Sequence, residues 1–293
     1  MYHFTIRDVE NLSGIKAHTL RMWEQRYGLC VCKRRASQHR YYDGEDLKYI
    51  LRIAYLYHNG YRISRIAALS SEEINQLALK KFNNDEYEVL VNQLVESCLE
   101  YDEQKFEKSL RSLLGNMGLE KGIEKVVFPF LDKIGLLWMT GHVLPAQEHI
   151  SSHLIQKFII SATNALPAVT ENKGYRFLLF TPQGEMHEMP LLFVQYILKR
   201  RGFKSIMLGK NITADMIEYC CTHHTVTHLY FHLITNFTNG SADEYVNKLS
   251  AAFPNLQIMA SGGALKGLDK LNTPPNVTIL HSLQEVIAFP VNA

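Results

Sequence analysis

The chain has 293 residues, of which 46% are hydrophobic and 20% charged, with a net charge of +2. This length suits about two domains of ~150 residues, and the apolar content suits packed cores rather than disorder. No apolar run reaches the ~18 residues of a membrane span, no signal core opens the chain, and five unpatterned cysteines (Cys30, Cys32, Cys98, Cys220, Cys221) suit reduced thiols in a cytoplasm.

The charge is unevenly spread. Residues 1–70 hold 12 Lys/Arg against 6 Asp/Glu, and the remainder 19 against 23. A basic head on a mildly acidic body points to a polyanionic partner for the head.

Taken in chain order, Thr5 is an N-cap for a helix over Ile6 to Ser13, and Gly14 is its stop. A second helix is expected from about Lys16 to Tyr27, with Leu20 and Trp23 facing inward and Gly28 ending it. Two short helices about a tight turn make a helix-turn-helix. Its second helix enters the major groove, which makes His18, Thr19, Arg21 and Met22 the residues that face DNA. The basic, aromatic segment Lys33-Arg34-Arg35-Ala36-Ser37-Gln38-His39-Arg40-Tyr41-Tyr42 then reads as a hairpin wing whose Arg35, Arg40 and Tyr41 suit phosphate.

In residues 2–70 the order and spacing of Tyr2-x-Phe4-Thr5-Ile6, Gly14-Ile15, Thr19-Leu20-Arg21-Met22-Trp23-Glu24, Tyr27-Gly28-Leu29, Arg40-Tyr41-Tyr42 and Gly60-Tyr61-Arg62-Ile63 resemble the MerR family of transcription regulators. The resemblance implies promoter DNA as partner, with Arg21, Arg40 and Tyr41 as contacts and Trp23 mainly structural. RNA polymerase is a further expected partner. Many members continue into one long dimerisation helix, whereas Ser70-Ser71 and Asn83-Asn84-Asp85 interrupt this chain. A homo-oligomer, dimer or tetramer, is then expected to form through the body.

From Glu86 to about Ala165 apolar residues recur at helical spacing in four segments, as in a four-helix bundle. The third is expected over Ile123 to Gly135 with an interruption at Pro129, and the fourth from about Ala146 to Thr163. Trp138 follows the third, and Glu148-His149 opens the fourth. An indole and a polar pair at one bundle end can line a ligand face by stacking and hydrogen bonding. The same residues also read as a buried Trp beside a surface Glu-His.

Beyond Gly174, strands are expected over Arg176 to Thr181, Lys204 to Leu208, His228 to Ile234, Gln257 to Ala260 and Val277 to Leu280, with helices between them. Such alternation implies a doubly wound parallel sheet, with ligands beyond the carboxyl ends of its strands. Glu185, His187, His232 and Gly262-Gly263 should meet there. The expected architecture is multidomain: a winged helix-turn-helix head (1–75), a four-helix cap bundle (86–168) and a flavodoxin-like α/β domain (174–293).

A bundle followed by this sheet resembles the cobalamin-binding module of methionine synthase and of light-responsive MerR-type regulators. Their Asp-x-His-x-x-Gly is answered by Glu185-Met186-His187-Glu188-Met189-Pro190, their Ser-x-Leu by His232-Leu233-Ile234, and their Gly-Gly by Gly262-Gly263. The regulators' Trp-x9-Glu-His is complete at Trp138, Glu148 and His149. The resemblance implies adenosyl- or methylcobalamin between cap and sheet, with His187 on cobalt and Glu185 orienting its ring. The nucleotide tail would slide into the sheet past Gly262-Gly263, and His232 would narrow that slot unless it turns away. Photosensing members carry a His where this chain has Met139. A thioether is a poor ligand for oxidised cobalt, so a bis-imidazole state after illumination is not expected unless His142 or His149 substitutes.

The reading is a one-component transcription regulator controlled by a ligand, and not an enzyme. Two alternatives remain open from the residues: a corrinoid carrier subunit of a methyltransferase, and a regulator whose altered pocket takes haem or a partner protein.

Overall fold

The computed structural model describes residues 4–34, 40–80, 87–139, 143–170, 174–235, 241–268 and 273–289. They divide into two compact units, Met1–Ile155 and Gln156–Ala293.

In the first unit α1 (Ile6–Ser13) begins with a capping box, in which Thr5 and Asp8 exchange side-chain to backbone hydrogen bonds. Gly14, left-handed at φ 71°, ends it. The next helix, α2 (Ala17–Tyr27), starts one residue later than expected because Lys16 is extended and has no capping side chain. The Glu10 carboxylate supplies that cap instead, accepting the Ala17 amide at 3.1 Å. The wing follows as an antiparallel ribbon, β1 (Lys33–Arg34) and β2 (Arg40–Tyr41), and α3 (Gly44–His58) begins at an Asp43–Asp46 capping box. Lys33 bridges to both of those carboxylates and so ties the ribbon to α3. Short α4 (Ile63–Ile66) and α5 (Ser71–Lys80) complete the head around Leu20, Trp23, Leu47, Ile50, Ile53 and Ile66.

The rest of this unit holds α6 (Glu88–Leu99), α7 (Glu103–Met117), α8 (Leu119–Gly122), α9 (Phe128–Met139) and the start of α10 (Pro145–Ala165). The interruption expected at Pro129 takes a specific form, a π-helical turn over Ile123–Val127 directly before α9. Proline has no N–H for the helical ladder, and a widened turn of this kind lets the helix continue. Continuation carries α9 past Gly135, so Trp138 lies in its last turn rather than after it.

The second unit is a five-stranded parallel sheet in the order β4-β3-β5-β6-β7. Its elements are β3 (Arg176–Pro182), α11 (Met189–Arg200), β4 (Lys204–Ile212), α12 (Ala214–His223), β5 (His228–His232), α13 (Ala242–Ala252), β6 (Gln257–Ser261), β7 (Val277–Leu280) and α14 (Leu283–Ala288). The strands β3 and β5 are buried on both faces. Phe177 and Leu179 join one apolar layer with Leu191, Tyr230 and Phe289, while Leu178 and Phe180 join the other with Ile217, Phe231 and Val246. Expectation and structure differ at β4, which runs four residues further. Irregular pairing with β3 after Leu179 and a left-handed Asn211 (φ 61°) re-aim the strand so that it continues.

From β3 the chain moves to one side for β4 and returns to the other side for β5. The crevice between the ends of β3 and β5 is therefore the topological switch point, where open α/β sheets hold ligands.

Candidate functional site

On the head, His18, Arg21, Met22 and Gln25 lie exposed along one side of α2, opposite the buried Leu20 and Trp23. Thr19 is half-buried among them. Arg40 pairs with Arg34 and Tyr41 with Lys33 in the ribbon, and the Tyr41 side chain is half-buried. Arg35 lies outside the described residues.

In the bundle, Trp138 is half-buried against the same hydrophobic cluster that forms the core of the head, and the fully buried Leu136 belongs to that cluster. The helix carrying the expected ligand-stacking indole thus shares a core with α3. Glu148 and His149 occupy the first turns of α10 with their side chains 3.5 Å apart, Glu148 half-buried and His149 exposed. Glu148 also takes the Ser152 hydroxyl. The residue before the pair fixes that turn. Gln147 is buried, accepts the Leu144 amide at 2.7 Å and donates to the Leu99 carbonyl at 3.0 Å. In the sequence it stands between Ala146 and the polar Glu148-His149, and nothing in that spacing marks it as buried. Met139 ends α9, and His142 lies outside the described residues.

At the strand ends the expected residues do meet. Glu185 is 1% exposed. Its Oε1 accepts the His187 amide at 2.9 Å and His187 Nδ1 at 2.5 Å. Its Oε2 accepts the amides of Ile234 and Thr235 at 2.8 and 2.9 Å and the Thr235 hydroxyl at 3.1 Å. Burial alone would raise this acid, but the His187 hydrogen bond, the Thr235 and His187 amides and the His187 charge outweigh it and hold the pKa at about 2. Glu185 is thus an anion that ties the loop after β3 to the loop after β5. Its own loop is fixed by Thr181, whose hydroxyl donates to the Glu185 carbonyl at 2.7 Å and accepts the Asn211 amide at 3.0 Å. Thr181 and Thr235 were not expected at the site, because nothing in their spacing marks them.

With its Nδ1 on Glu185, the His187 side chain is 53% exposed. A carboxylate-backed imidazole of this kind is oriented for a metal and is a stronger donor to it. Pro190 occupies the first turn of α11, where a missing N–H costs nothing. Its presence in place of Gly does not disturb the dyad. Among the described residues no cluster of three His, Cys, Asp or Glu side chains could hold a metal ion unaided. The Glu185–His187 pair thus offers a single oriented imidazole at the strand ends.

His232 does not turn away from the sheet. Its Nδ1 is 2.7 Å from Ser261 Oγ, which is also 2.6 Å from the hydroxyl of the fully buried Tyr230. Burial pushes the His232 pKa down to about 4, with Glu185 opposing and His187 adding to the shift. Gly262 is required by the chain itself. Its φ is 124°, and a Cβ there would stand 2.0 Å from the Leu233 carbonyl oxygen. A Cβ on Gly263 would meet only the Ile234 carbonyl oxygen, at 3.8 Å. At Gly262 the missing Cβ makes room for the Leu233 backbone just after β5.

The model for the MerR HTH family regulatory protein matches residues 4–73, and that for the B12 binding domain matches residues 90–160. The HTH-type transcriptional repressor CarH of Myxococcus xanthus is 25% identical over 219 residues, covering 72% of this chain and 72% of the relative. The HTH-type transcriptional repressor CarA of the same organism is 28% identical, covering 74% of this chain and 71% of the relative. Among solved structures, the monomethylamine corrinoid protein of Methanosarcina barkeri superposes with a TM-score of 0.56 at 12% identity, over 70% of this chain and 99% of its own. That likeness shows a shared fold. The chain thus carries one segment that matches the MerR helix-turn-helix model and one that matches the B12 binding domain model, and it is similar to the CarH and CarA repressors.

Proposed function

We propose that this protein is a one-component transcription regulator whose head (1–75) binds promoter DNA, under the control of a cobalamin bound by the body (86–168 and 174–293). The observation that carries the reading is the buried Glu185 anion holding His187 by amide and ring at the sheet's switch point, in a chain that also presents His18, Arg21 and Met22 on an exposed helix face. Cobalamin, when bound, would supply a cobalt able to take an imidazole and to exchange another ligand.

The protein's own residues then divide the work. His187 would hold the cobalt through its imidazole, Glu185 keeps the Nδ1 of that ring occupied, and Thr235 and Ile234 keep Glu185 in place. Trp138, Glu148 and His149 belong to the ligand-responsive surface of the bundle. On the head, Arg21, Arg40 and Tyr41 hold phosphates, and His18 and Thr19 face base edges. Arg35 continues the basic wing. A homo-oligomer on a palindromic site fits two or more such heads, and RNA polymerase is the machinery whose access they would set. Ligand control requires only that cobalamin bind the DNA-competent and incompetent states unequally.

Two measurements test this together. Hydroxocobalamin added to wild type should give an absorbance change that His187→Ala abolishes. DNA from the chain's own upstream region should shift in mobility, and Arg21→Ala should weaken the shift. Retention of the cobalamin spectrum in His187→Ala, or an Arg21→Ala shift equal to wild type, would contradict the respective half.

A further inference from the structure

At the carboxyl end of β5 and β6, one hydrogen-bonded chain fills the sheet behind His187. Tyr230 and His232 alternate along β5 onto the face covered by α11 and α14, where Tyr230 stacks on Phe289 at 5.6 Å. Ser261 is the register partner of His232 and is buried. Its Oγ contacts both the Tyr230 hydroxyl and His232 Nδ1.

The protons in this chain can be assigned. Tyr230 is fully buried and its hydroxyl has Ser261 as its partner, so the phenol proton has to point at Ser261 Oγ. Otherwise a buried O–H would have no acceptor, at the cost such a group carries. Ser261 then has one proton to give, and it goes to His232 Nδ1. His232 is thereby fixed as the tautomer protonated on Nε2. That nitrogen has no hydrogen-bond partner among the described residues, and the residue is half-buried. Its lone pair is on Nδ1, spent on Ser261. His232 is therefore not a second metal ligand. It is a neutral donor standing beside the Glu185–His187 dyad, close enough for both to act on its charge.

The same residues occupy volume. Anything threaded behind the strand ends would have to displace the Tyr230 phenol, Ser261 and the His232 imidazole, while Gly262 is already closed against Leu233.

We infer that His232 makes this site indifferent to the nucleotide tail of its corrinoid, because the ring, held on Ser261, plugs the space behind β5 and β6. The ligand class is corrinoids, with or without the lower nucleotide. The inference rests on the reading of His187 as the axial ligand.

The test is absorbance titration of the full chain with diaquocobinamide, which lacks the lower nucleotide, and with hydroxocobalamin. Wild type should bind cobinamide at least as tightly as cobalamin. His232→Ser, which opens the space, should move the ratio of the two Kd values toward cobalamin by about tenfold. Nitrogen-15 spectra of histidine-labelled wild type at pH 7 should show His232 protonated on Nε2, a readout independent of how the variant folds. A wild-type preference for cobalamin of tenfold or more, unchanged in His232→Ser, overturns the inference and leaves the corrinoid reading intact. A proton on Nδ1 overturns it likewise. Failure of wild type to bind either corrinoid overturns the corrinoid reading itself, and this inference with it.

Discussion

His187 gives both its amide and its ring Nδ1 to one oxygen of Glu185, which is otherwise sealed from solvent. The second oxygen holds the loop after β5 through Ile234 and Thr235. One carboxylate thus sets the direction of the imidazole and the closure of the crevice it faces. The extra methylene of Glu over Asp is used for that span.

Glu185→Gln should be costly despite its shape. Five donors converge on this side chain, and an amide has one oxygen to receive them and an NH2 that opposes the rest. Leaving one or two buried donors unmet costs about 2–4 kcal/mol. Denaturant unfolding of the ligand-free chain should show a loss of that size, and His187→Ala should show a smaller one because its ring is half-exposed. A Glu185→Gln variant as stable as wild type would mean that the carboxylate does not clamp the two loops.

Much of this site was legible before the fold. The Glu185-x-His187 spacing and the Gly262-Gly263 pair sit just past strands whose alternation with helices fixes where their ends must be. What could not be read was which residues would answer Glu185. Thr235 lies 50 positions away, and its contact follows from β5 lying beside β3 rather than from any local pattern. Ser261 is similar, an ordinary strand-end serine until register places it opposite His232. Trp138 is a different case. The spacing to Glu148-His149 identified the residue, but an amphipathic stripe does not say which partner its apolar side will find, and here that partner is the head.

That packing makes a prediction about coupling. Leu136 is fully buried in the cluster that includes Ile50, Ile53 and Trp23 of the head, and Trp138 lies against it. Leu136→Ala should destabilise the first unit by about 2–5 kcal/mol, as large-to-small core changes do. Trp138→Ala should cost less, since the indole is half-buried, yet should still lower DNA affinity in a mobility shift without touching any DNA-facing residue. Unchanged affinity in both variants would show that the head works independently of α9.

Arg21 offers an electrostatic test. It is exposed on α2 and lies on the same side as His18 and Met22. If its guanidinium neutralises a phosphate, Arg21→Ala should weaken binding across sequences and lower the slope of log K against log salt by about one. Met22→Ala should leave the slope alone and instead change preference among sites, because a thioether chain contacts thymine methyls rather than phosphates. Mobility shifts at several salt concentrations separate the two, and an unchanged slope in Arg21→Ala would remove Arg21 from the phosphate contacts.

His228 links the second unit to pH. At the start of β5 its ring is buried, 4.6 Å from that of Phe177 and 5.1 Å from that of Tyr175, and its Nδ1 is 2.8 Å from the Thr227 hydroxyl. Burial lowers its pKa below the ordinary histidine value. The native state therefore binds fewer protons than the unfolded chain in the range between the two values. Its contribution is complete above pH of about 6.5, the unfolded value, and is lost as pH falls below that toward the native value. Each such histidine adds at most about 1.4 kcal/mol per pH unit to the slope. His232 is shifted in the same direction, so wild type should lose stability between pH 7.5 and 5.5 through both residues. His228→Phe keeps a ring among the aromatics but cannot be protonated, and should flatten the dependence by one histidine's share. Urea unfolding of the two proteins across that range measures it. Equal slopes would mean that the His228 ring accepts its proton without leaving the native fold.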